Sequence, residues 1–100
     1  MIIVTGSVVA KAGMVDQLMA ECLTHTRRSR TEPGCVSHAV HIDAENADRL
    51  VFFEEWQNMP ALLTHFKVPA SGAFVATVRS MAATAPVMTI YDASAVTMGG

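Results

Sequence analysis

The 100-residue sequence predicts an α+β domain of the ferredoxin-like type, a β-α-β-β-α-β chain whose four-stranded antiparallel sheet carries its helices on one face. Three observations favour this fold class. Four segments have the β-branched or alternating composition of strands, two stretches have helical periodicity, and turn signals separate them in this order. The length predicts a single domain over residues 1–100, with little room for a separate cofactor-binding unit.

The first strand is predicted over Ile2–Ala10, which is rich in β-branched residues. Gly6 lies in its middle and indicates a bulge or a close approach by another segment. After a turn, apolar side chains recur with helical spacing, at Val15, Leu18, Met19, Cys22, Leu23 and Thr26. The segment Glu32-Pro33-Gly34 is expected to end this helix.

A hairpin is predicted from two strands, Cys35–Ile42 and Arg49–Trp56, joined by the polar residues 43–48. On the second strand, one face carries Leu50, Phe52, Glu54 and Trp56, and the other carries Val51, Phe53 and Glu55. Both faces are apolar over most of the strand, so we expect both to be covered. One face would pack on the helices and the other on a second subunit.

The last third of the chain predicts two short helical pieces and a final strand. Asn58 is expected to cap the first piece, Pro69 to end it, and Ser71 to cap the second. One stripe of the second piece is formed by Phe74, Val78 and Met81. The final strand is predicted over 87–91, and a loosely held tail from about residue 93.

Composition limits the partners that we expect. Hydrophobic residues make up 51% of the chain, more than so small a domain can hide, which predicts a subunit interface or a dry pocket. The net charge is −2 and no basic run exceeds Arg27-Arg28, so nucleic acid is not a predicted partner. No apolar run reaches the roughly 18 residues of a membrane span. With Cys22 and Cys35 read as free buried thiols, the predicted location is cytoplasmic, without a membrane partner.

His65 is the leading candidate for chemistry, because it lies near the end of a short helix and can take a proton near neutral pH. Glu54 and Trp56 point the same way from the third strand. In the functional interpretation, the carboxylate of Glu54 orients the imidazole of His65, and the indole of Trp56 forms one wall of a pocket for a flat ligand. The structural alternative is that His65 has a buried hydrogen-bond partner, Glu54 a salt bridge and Trp56 a place in the core.

Three further histidines are candidates for lining a pocket or binding a metal ion. His25 lies at the edge of the first helix's apolar stripe and His38 on the Val36/Val40 face of its strand, so either can line a pocket. His41 faces the other way from His38, so the two cannot chelate one ion. We therefore predict no metal site. The chain also has no GxGxxG, P-loop or GxSxG motif, so nothing in the sequence points to a dehydrogenase, a kinase or an α/β-hydrolase.

Several short motifs follow one another in a fixed order: Glu32-Pro33-Gly34-Cys35, Asp43, the strand Arg49–Phe53 with Glu54 and Trp56 after it, and His65-Phe66 leading to Ala73-Phe74. In this order they resemble the antibiotic biosynthesis monooxygenase (ABM) domain family over nearly the whole chain. The resemblance implies a ferredoxin-like subunit that pairs sheet to sheet into a dimeric α+β barrel. Its recurring residues map onto Glu54, Trp56 and His65.

The family includes monooxygenases that act on phenols or quinols without flavin, haem or metal, as well as haem-degrading enzymes, an isomerase and members with no known activity. Haem-degrading relatives fit poorly, because Gly6 and Val78 stand where they carry an Asn and an iron-ligating His. His38 stands where relatives often carry Tyr.

We therefore expect a homodimeric, cofactor-independent monooxygenase that oxidises a small aromatic phenol or quinol with molecular oxygen. His65 would take the substrate's proton and Glu54 would orient His65, while the substrate contacts Trp56, His25, His38 and Phe74. Two alternatives remain open: a non-catalytic dimeric protein that binds a small molecule or is linked to stress, and a non-oxidative isomerase on the same scaffold.

Overall fold

A computed structural model describes residues 1–99 of the chain. Along the sequence, the elements are β1 (Ile2–Val9), α1 (Val15–Ser29), β2 (Cys35–Asp43), β3 (Asn46–Trp56), α2 (Met59–Lys67), α3 (Pro69–Met81) and β4 (Val87–Asp92). The predicted ferredoxin-like α+β fold is confirmed, with the second helical region divided into two helices.

The four strands form one antiparallel sheet in the order β2-β3-β1-β4. The β2–β3 register places His38 opposite Glu54, so both side chains leave the sheet on the same face. Gly6 pairs with Met88 of the edge strand, and a Cβ at position 6 would lie 3.1 Å from the carbonyl oxygen of Val87. The close approach predicted at Gly6 is therefore confirmed.

The helices cover one face of the sheet and bury two apolar clusters there. The first consists of Val8, Ala10, Leu18, Cys22, Leu50 and Val78, and the second of Ile2, Val4, Trp56 and Leu62. Along β3, Leu50 belongs to the first cluster and Trp56 to the second, with the buried carboxylate of Glu54 between them. The sheet thus holds polar side chains between two dry regions.

The break between α2 and α3 positions the site from the helical side. Asn58 caps α2 as predicted, because its side chain accepts a hydrogen bond from the Ala61 N–H at 2.9 Å. The prediction that Ser71 caps α3 is wrong. The helix already begins at Pro69, whose ring fixes the backbone for a first helical position, and Val68 is the capping residue. Ser71 is instead buried inside the first turn.

Two further features concern helix length and the tail. Within residues 1–99, no single helix is long and apolar enough to cross a membrane; α2 and α3 together pass on length and composition, but they are bent by 73°. Residues 93–99 contain no helix or strand, which agrees with the predicted tail. Gly100, the last residue of that prediction, lies outside the described residues.

Candidate active site

Four buried titratable side chains meet between the sheet and the helices: His25 of α1, His38 of β2, Glu54 of β3 and His65 of α2. Helical spacing brings His25 under α1, three residues after the buried Cys22, and brings His65 under α2, three residues after the buried Leu62. The three imidazole centroids lie 5.3 to 5.9 Å apart. Folding thus brings together four titratable side chains that lie up to forty positions apart in the sequence.

His65 is held in place by the carboxylate of Glu32. Its Nδ1 lies 2.8 Å from Oε1 of Glu32, and only 4% of its side chain is exposed. A carboxylate can only accept a hydrogen bond, so Nδ1 carries the proton and Nε2 keeps a lone pair. The prediction that Glu54 orients His65 is therefore wrong. The orienting residue is Glu32, from the turn after α1.

His25 has the opposite tautomer. The Arg28 guanidinium donates a hydrogen bond from Nη2 to Nδ1 of His25 at 2.6 Å. Because Arg can only donate, Nδ1 must accept and the proton of the neutral ring is on Nε2. The ring stacks on Phe74 with centroids 3.9 Å apart and an angle of 4°. Burial, followed by electrostatic repulsion from the neighbouring His38, His65 and Arg28, lowers the pKa of His25 to about 3.

Glu54 forms a separate buried group with His38 and Trp56. The Trp56 indole donates from Nε1 to Oε1 of Glu54 at 3.0 Å, and Nε2 of His38 lies 3.3 Å from the same oxygen. The His38 contact is an ion-pair separation without the direction of a hydrogen bond. Burial opposes ionisation of Glu54, but His38 and the Trp56 N–H outweigh it and lower the carboxyl pKa.

Arg28 links the two imidazoles that have opposite tautomers. It donates to Oγ of Ser71 at 3.3 Å, and its Nε lies 3.9 Å from Oε2 of Glu32. The guanidinium that fixes His25 therefore also stands beside the carboxylate that fixes His65. Neither residue was predicted to belong to the site: Arg28 was noted only as part of a short basic run, and Glu32 as part of the segment that ends the helix. The spacing of Arg28 three residues after His25 on α1 was the available signal.

The ring nitrogens of the three histidines are close enough together to be compared with a metal site. His25, His38 and His65 each offer a ring nitrogen, and these atoms lie within 4.8 Å of one another, a convergence that analysis within single elements could not find. The arrangement nevertheless does not suit a metal. Nδ1 of His25 is occupied by Arg28, and Nε2 could bind only if Nδ1 were protonated against that cation. A metal would have to displace Arg28.

A cavity of about 230 Å³ opens beside this cluster. Its polar wall includes His25, Glu54 and His65, and its apolar wall includes Phe52 and Phe74. His25 and Phe74, which were predicted to contact the substrate, both line this cavity.

Trp56 and His38 do not line this cavity, because Trp56 is fully buried and His38 nearly so. The prediction that Trp56 and His38 contact a ligand in this cavity is therefore corrected, because both side chains lie behind Glu54. Val78 and Gly6 contribute to the lining in their place.

Comparison with known proteins identifies the family to which this site belongs. The family model for antibiotic biosynthesis monooxygenases matches residues 1–77. The chain belongs to the antibiotic biosynthesis monooxygenase family. The matched ABM region contains every residue of the polar cluster, from His25 to Ser71, and ends before β4.

Three proteins show what this ABM domain is similar to. The chain is 35% identical over 74 residues to the uncharacterized protein sll1783 of Synechocystis sp.. The aligned part is 74% of this chain but only 50% of that protein, so the chain spans about half the length of this relative. A proposed antibiotic biosynthesis monooxygenase from Deinococcus radiodurans superposes with a TM-score of 0.91 at 25% identity, covering 100% of both chains. Rv0793 from Mycobacterium tuberculosis gives a TM-score of 0.88 at 21% identity, covering 97% of this chain and 98% of that one.

Proposed function

We propose that this ABM-family protein is a cofactor-independent monooxygenase that oxidises a small phenol or quinol with molecular oxygen. The observation that carries the proposal is the state of His65. Its Nδ1 is fixed by Glu32, so its Nε2 lone pair is available inside a cavity with aromatic walls. A buried base of this kind can make an electron-rich anion from a phenol without a cofactor.

The proposed reaction begins when Nε2 of His65 takes the proton of the substrate hydroxyl. The phenolate then donates electrons to oxygen, and a carbon of the ring forms a bond to one oxygen atom. The second oxygen leaves as water with two hydrogens from the substrate, so a phenol and O₂ give a quinone and H₂O. The protein contributes a base, positioning and exclusion of bulk water.

The cavity size favours a substrate with a single ring. A cavity of roughly 150 Å³ is enough to take up benzene, whereas drug-sized ligands need about 300 Å³ or more. The volume of about 230 Å³ lies between these limits. We therefore expect monocyclic phenols and hydroquinones with small substituents to be better substrates than polycyclic quinols.

Oxygen uptake by a panel of phenols tests the proposal. The panel contains monocyclic phenols, hydroquinones and polycyclic quinols, each measured with and without a chelator. The proposal expects enzyme-dependent uptake with monocyclic compounds that the chelator does not abolish. The absence of uptake across the panel, with confirmed binding of the same compounds, would contradict it.

The same site gives one specific observation in favour of a non-oxidative isomerase. A base at His65 beside a neutral donor at His25 is an arrangement that also serves proton transfer next to a carbonyl group. Such an enzyme would exchange substrate hydrogen with solvent and consume no oxygen. The binding-protein alternative predicts neither exchange nor uptake, so the two measurements separate all three functions.

We also propose that the protein acts as a homodimer that buries the helix-free face of the sheet. On this face Phe53 is 40% exposed and Tyr91 is 49% exposed, although both are aromatic. The edge strand Val87–Asp92 is exposed along its whole length, and unpaired edges invite association with another chain. A stable interface of this kind buries about 2,000 Å² or more in total.

A further inference from the structure

We propose that His25 is a catalytic hydrogen-bond donor that binds the substrate as its phenolate. The inference deepens the proposed function and rests on it. Nε2–H of His25 would donate to the substrate oxygen while Nε2 of His65 removes the proton from the same oxygen. The ligand class is accordingly an ionisable phenol, recognised by a donor and an acceptor together.

The opposite tautomers of the two rings carry this inference. Arg28 can only donate to Nδ1 of His25, which leaves the proton on Nε2. Glu32 can only accept from Nδ1 of His65, which leaves the lone pair on Nε2. One imidazole is thus fixed as a donor and its neighbour as an acceptor, which matches the change from hydroxyl to oxyanion.

The geometry allows one oxygen atom to contact both rings. Both side chains line the same cavity, and a ring nitrogen of His25 lies within 4.8 Å of one of His65. Two hydrogen bonds of roughly 2.8 Å that meet at one oxygen span up to about 5.6 Å. The stacking of His25 on Phe74 keeps its ring plane fixed during the proton transfer.

The environment keeps His25 neutral, so it donates without competing for the proton. The charged and titratable groups that face it are Arg28 of its own helix, His38, His65 and Glu54. Burial of the ring and the Arg28 guanidinium oppose a second proton on His25, and they outweigh the Glu54 carboxylate, which favours it. With its pKa lowered to about 3, His25 stays a neutral donor near neutral pH.

Binding of 4-nitrophenol measures the effect directly, because its phenolate is yellow and its neutral form is not. At a pH below the phenol's own pKa, the wild-type protein should bind the yellow form. His25→Phe keeps a ring that can stack on Phe74 but removes the donor. We expect it to weaken phenolate binding by about 10- to 100-fold, since hydrogen bonds to charged groups have this strength, while binding of the neutral phenol changes little.

Two further variants serve as controls in this titration. His25→Gln retains an N–H donor and should recover part of the affinity. The same His→Phe change at His41, which is exposed on the opposite face, should have no effect. Wild-type affinity for the phenolate in folded His25→Phe would overturn the inference.

Nitrogen NMR of the wild-type protein tests the tautomers without any variant. The two-bond couplings of each imidazole should show the proton on Nε2 of His25 and on Nδ1 of His65. Protonation of His25 at Nδ1 would overturn the inference, even if variants at this position do not fold.

The outcomes also separate the inference from the proposed function. If phenolate binding depends on His25 but no phenol causes oxygen uptake, the oxyanion site stands and the monooxygenase proposal fails. If oxygen uptake depends on His65 but His25→Phe leaves both phenolate binding and turnover unchanged, the function stands and the role of His25 fails.

Discussion

At the scale of single residues, the site depends on which nitrogen of each imidazole carries the proton. Glu32, in the turn after α1, determines this for His65 of α2, and Arg28 determines it for His25 within α1 itself. A charged partner on Nδ1 fixes the ring and leaves Nε2 free for the substrate. Exchanging the partner is therefore as informative as replacing the imidazole.

Replacing Glu32 with Gln tests this dependence. The amide can present N–H₂ to Nδ1, which would move the proton of His65 to Nε2 and remove the base. We expect turnover to fall by roughly 10- to 10³-fold, with little change in fold. Glu55→Gln is the matched control, because Glu55 accepts a hydrogen bond from Ser37 on the other face of the sheet. Equal losses in both variants would contradict the account.

The lowered pKa of His25 predicts a dependence of stability on pH. In the folded state this pKa is about 3, against 6.5 for an unperturbed His. Between these values the unfolded chain binds a proton that the folded chain does not. The free energy of unfolding should therefore fall as the pH drops below 6.5, by up to about 1.4 kcal/mol per pH unit from this group.

Denaturant titrations between pH 6.5 and 4.5 measure this slope. The wild-type slope should be steeper than that of His25→Gln, which lacks the group. Identical slopes in the two proteins would show that His25 is not protected from protonation.

Sequence analysis predicted some site residues and missed others for a physical reason. His65 could be found because it lies near the end of a short helix, and Glu54 because it is a carboxylate on a mostly apolar strand face. Arg28 had only the signal of its spacing from His25 on α1. The role of Glu32 could not be found, because it depends on the turn that brings the end of α1 beside α2.

At the scale of elements, the turn between α1 and β2 determines where α2 sits over the site. Gly34 has φ +84° there, and a Cβ at this position would lie 2.5 Å from Cβ of Ala61 on α2. This contact keeps α2, and with it His65, close to Glu32. The segment Glu32-Pro33-Gly34 therefore supplies both the orienting carboxylate and the close approach that makes it effective.

Gly34→Ala should lower the free energy of unfolding by at least about 2 kcal/mol, from left-handed strain and the clash with Ala61. Gly13→Ala is the control, because Gly13 has φ +76° but nothing within 4 Å of its Cβ position. It should lose only about 1 kcal/mol, the strain alone. Thermal melting of both variants separates the backbone strain from the clash with Ala61. Equal losses of unfolding free energy in the two variants would exclude a role for the contact with α2.

Most elements were predictable because their signals are local. The β-branched composition of β1 and the helical periodicity of α1 can each be read within one element, and Pro69 marks the break that separates α2 from α3. The convergence of three histidines was not predictable, since it depends on how α1, β2 and α2 pack. Spacing within one element carries no information about such a contact.

At the scale of the whole molecule, the account requires a second subunit on the bare sheet face. A charge placed there should prevent association, so Phe53→Glu is expected to be monomeric where the wild type has twice the 10.7 kDa chain mass. Leu63→Glu is the control, because Leu63 is similarly exposed, at 47%, but lies on α2. Light scattering decides the matter, and a monodisperse wild-type monomer at micromolar concentration would rule out the dimer.

The central claim is that a protein base, without a cofactor, directs oxygen onto a phenol. Incubation with ¹⁸O₂ and a chelator, followed by mass spectrometry of the product, tests it most directly in the wild type and in His65→Gln. The variant keeps an amide that can still donate to Glu32 but has no base. We predict one labelled oxygen atom in the wild-type product and a rate lower by roughly 10² to 10⁴ in the variant, per folded molecule. A product without label, or equal rates in the two proteins, would contradict the account.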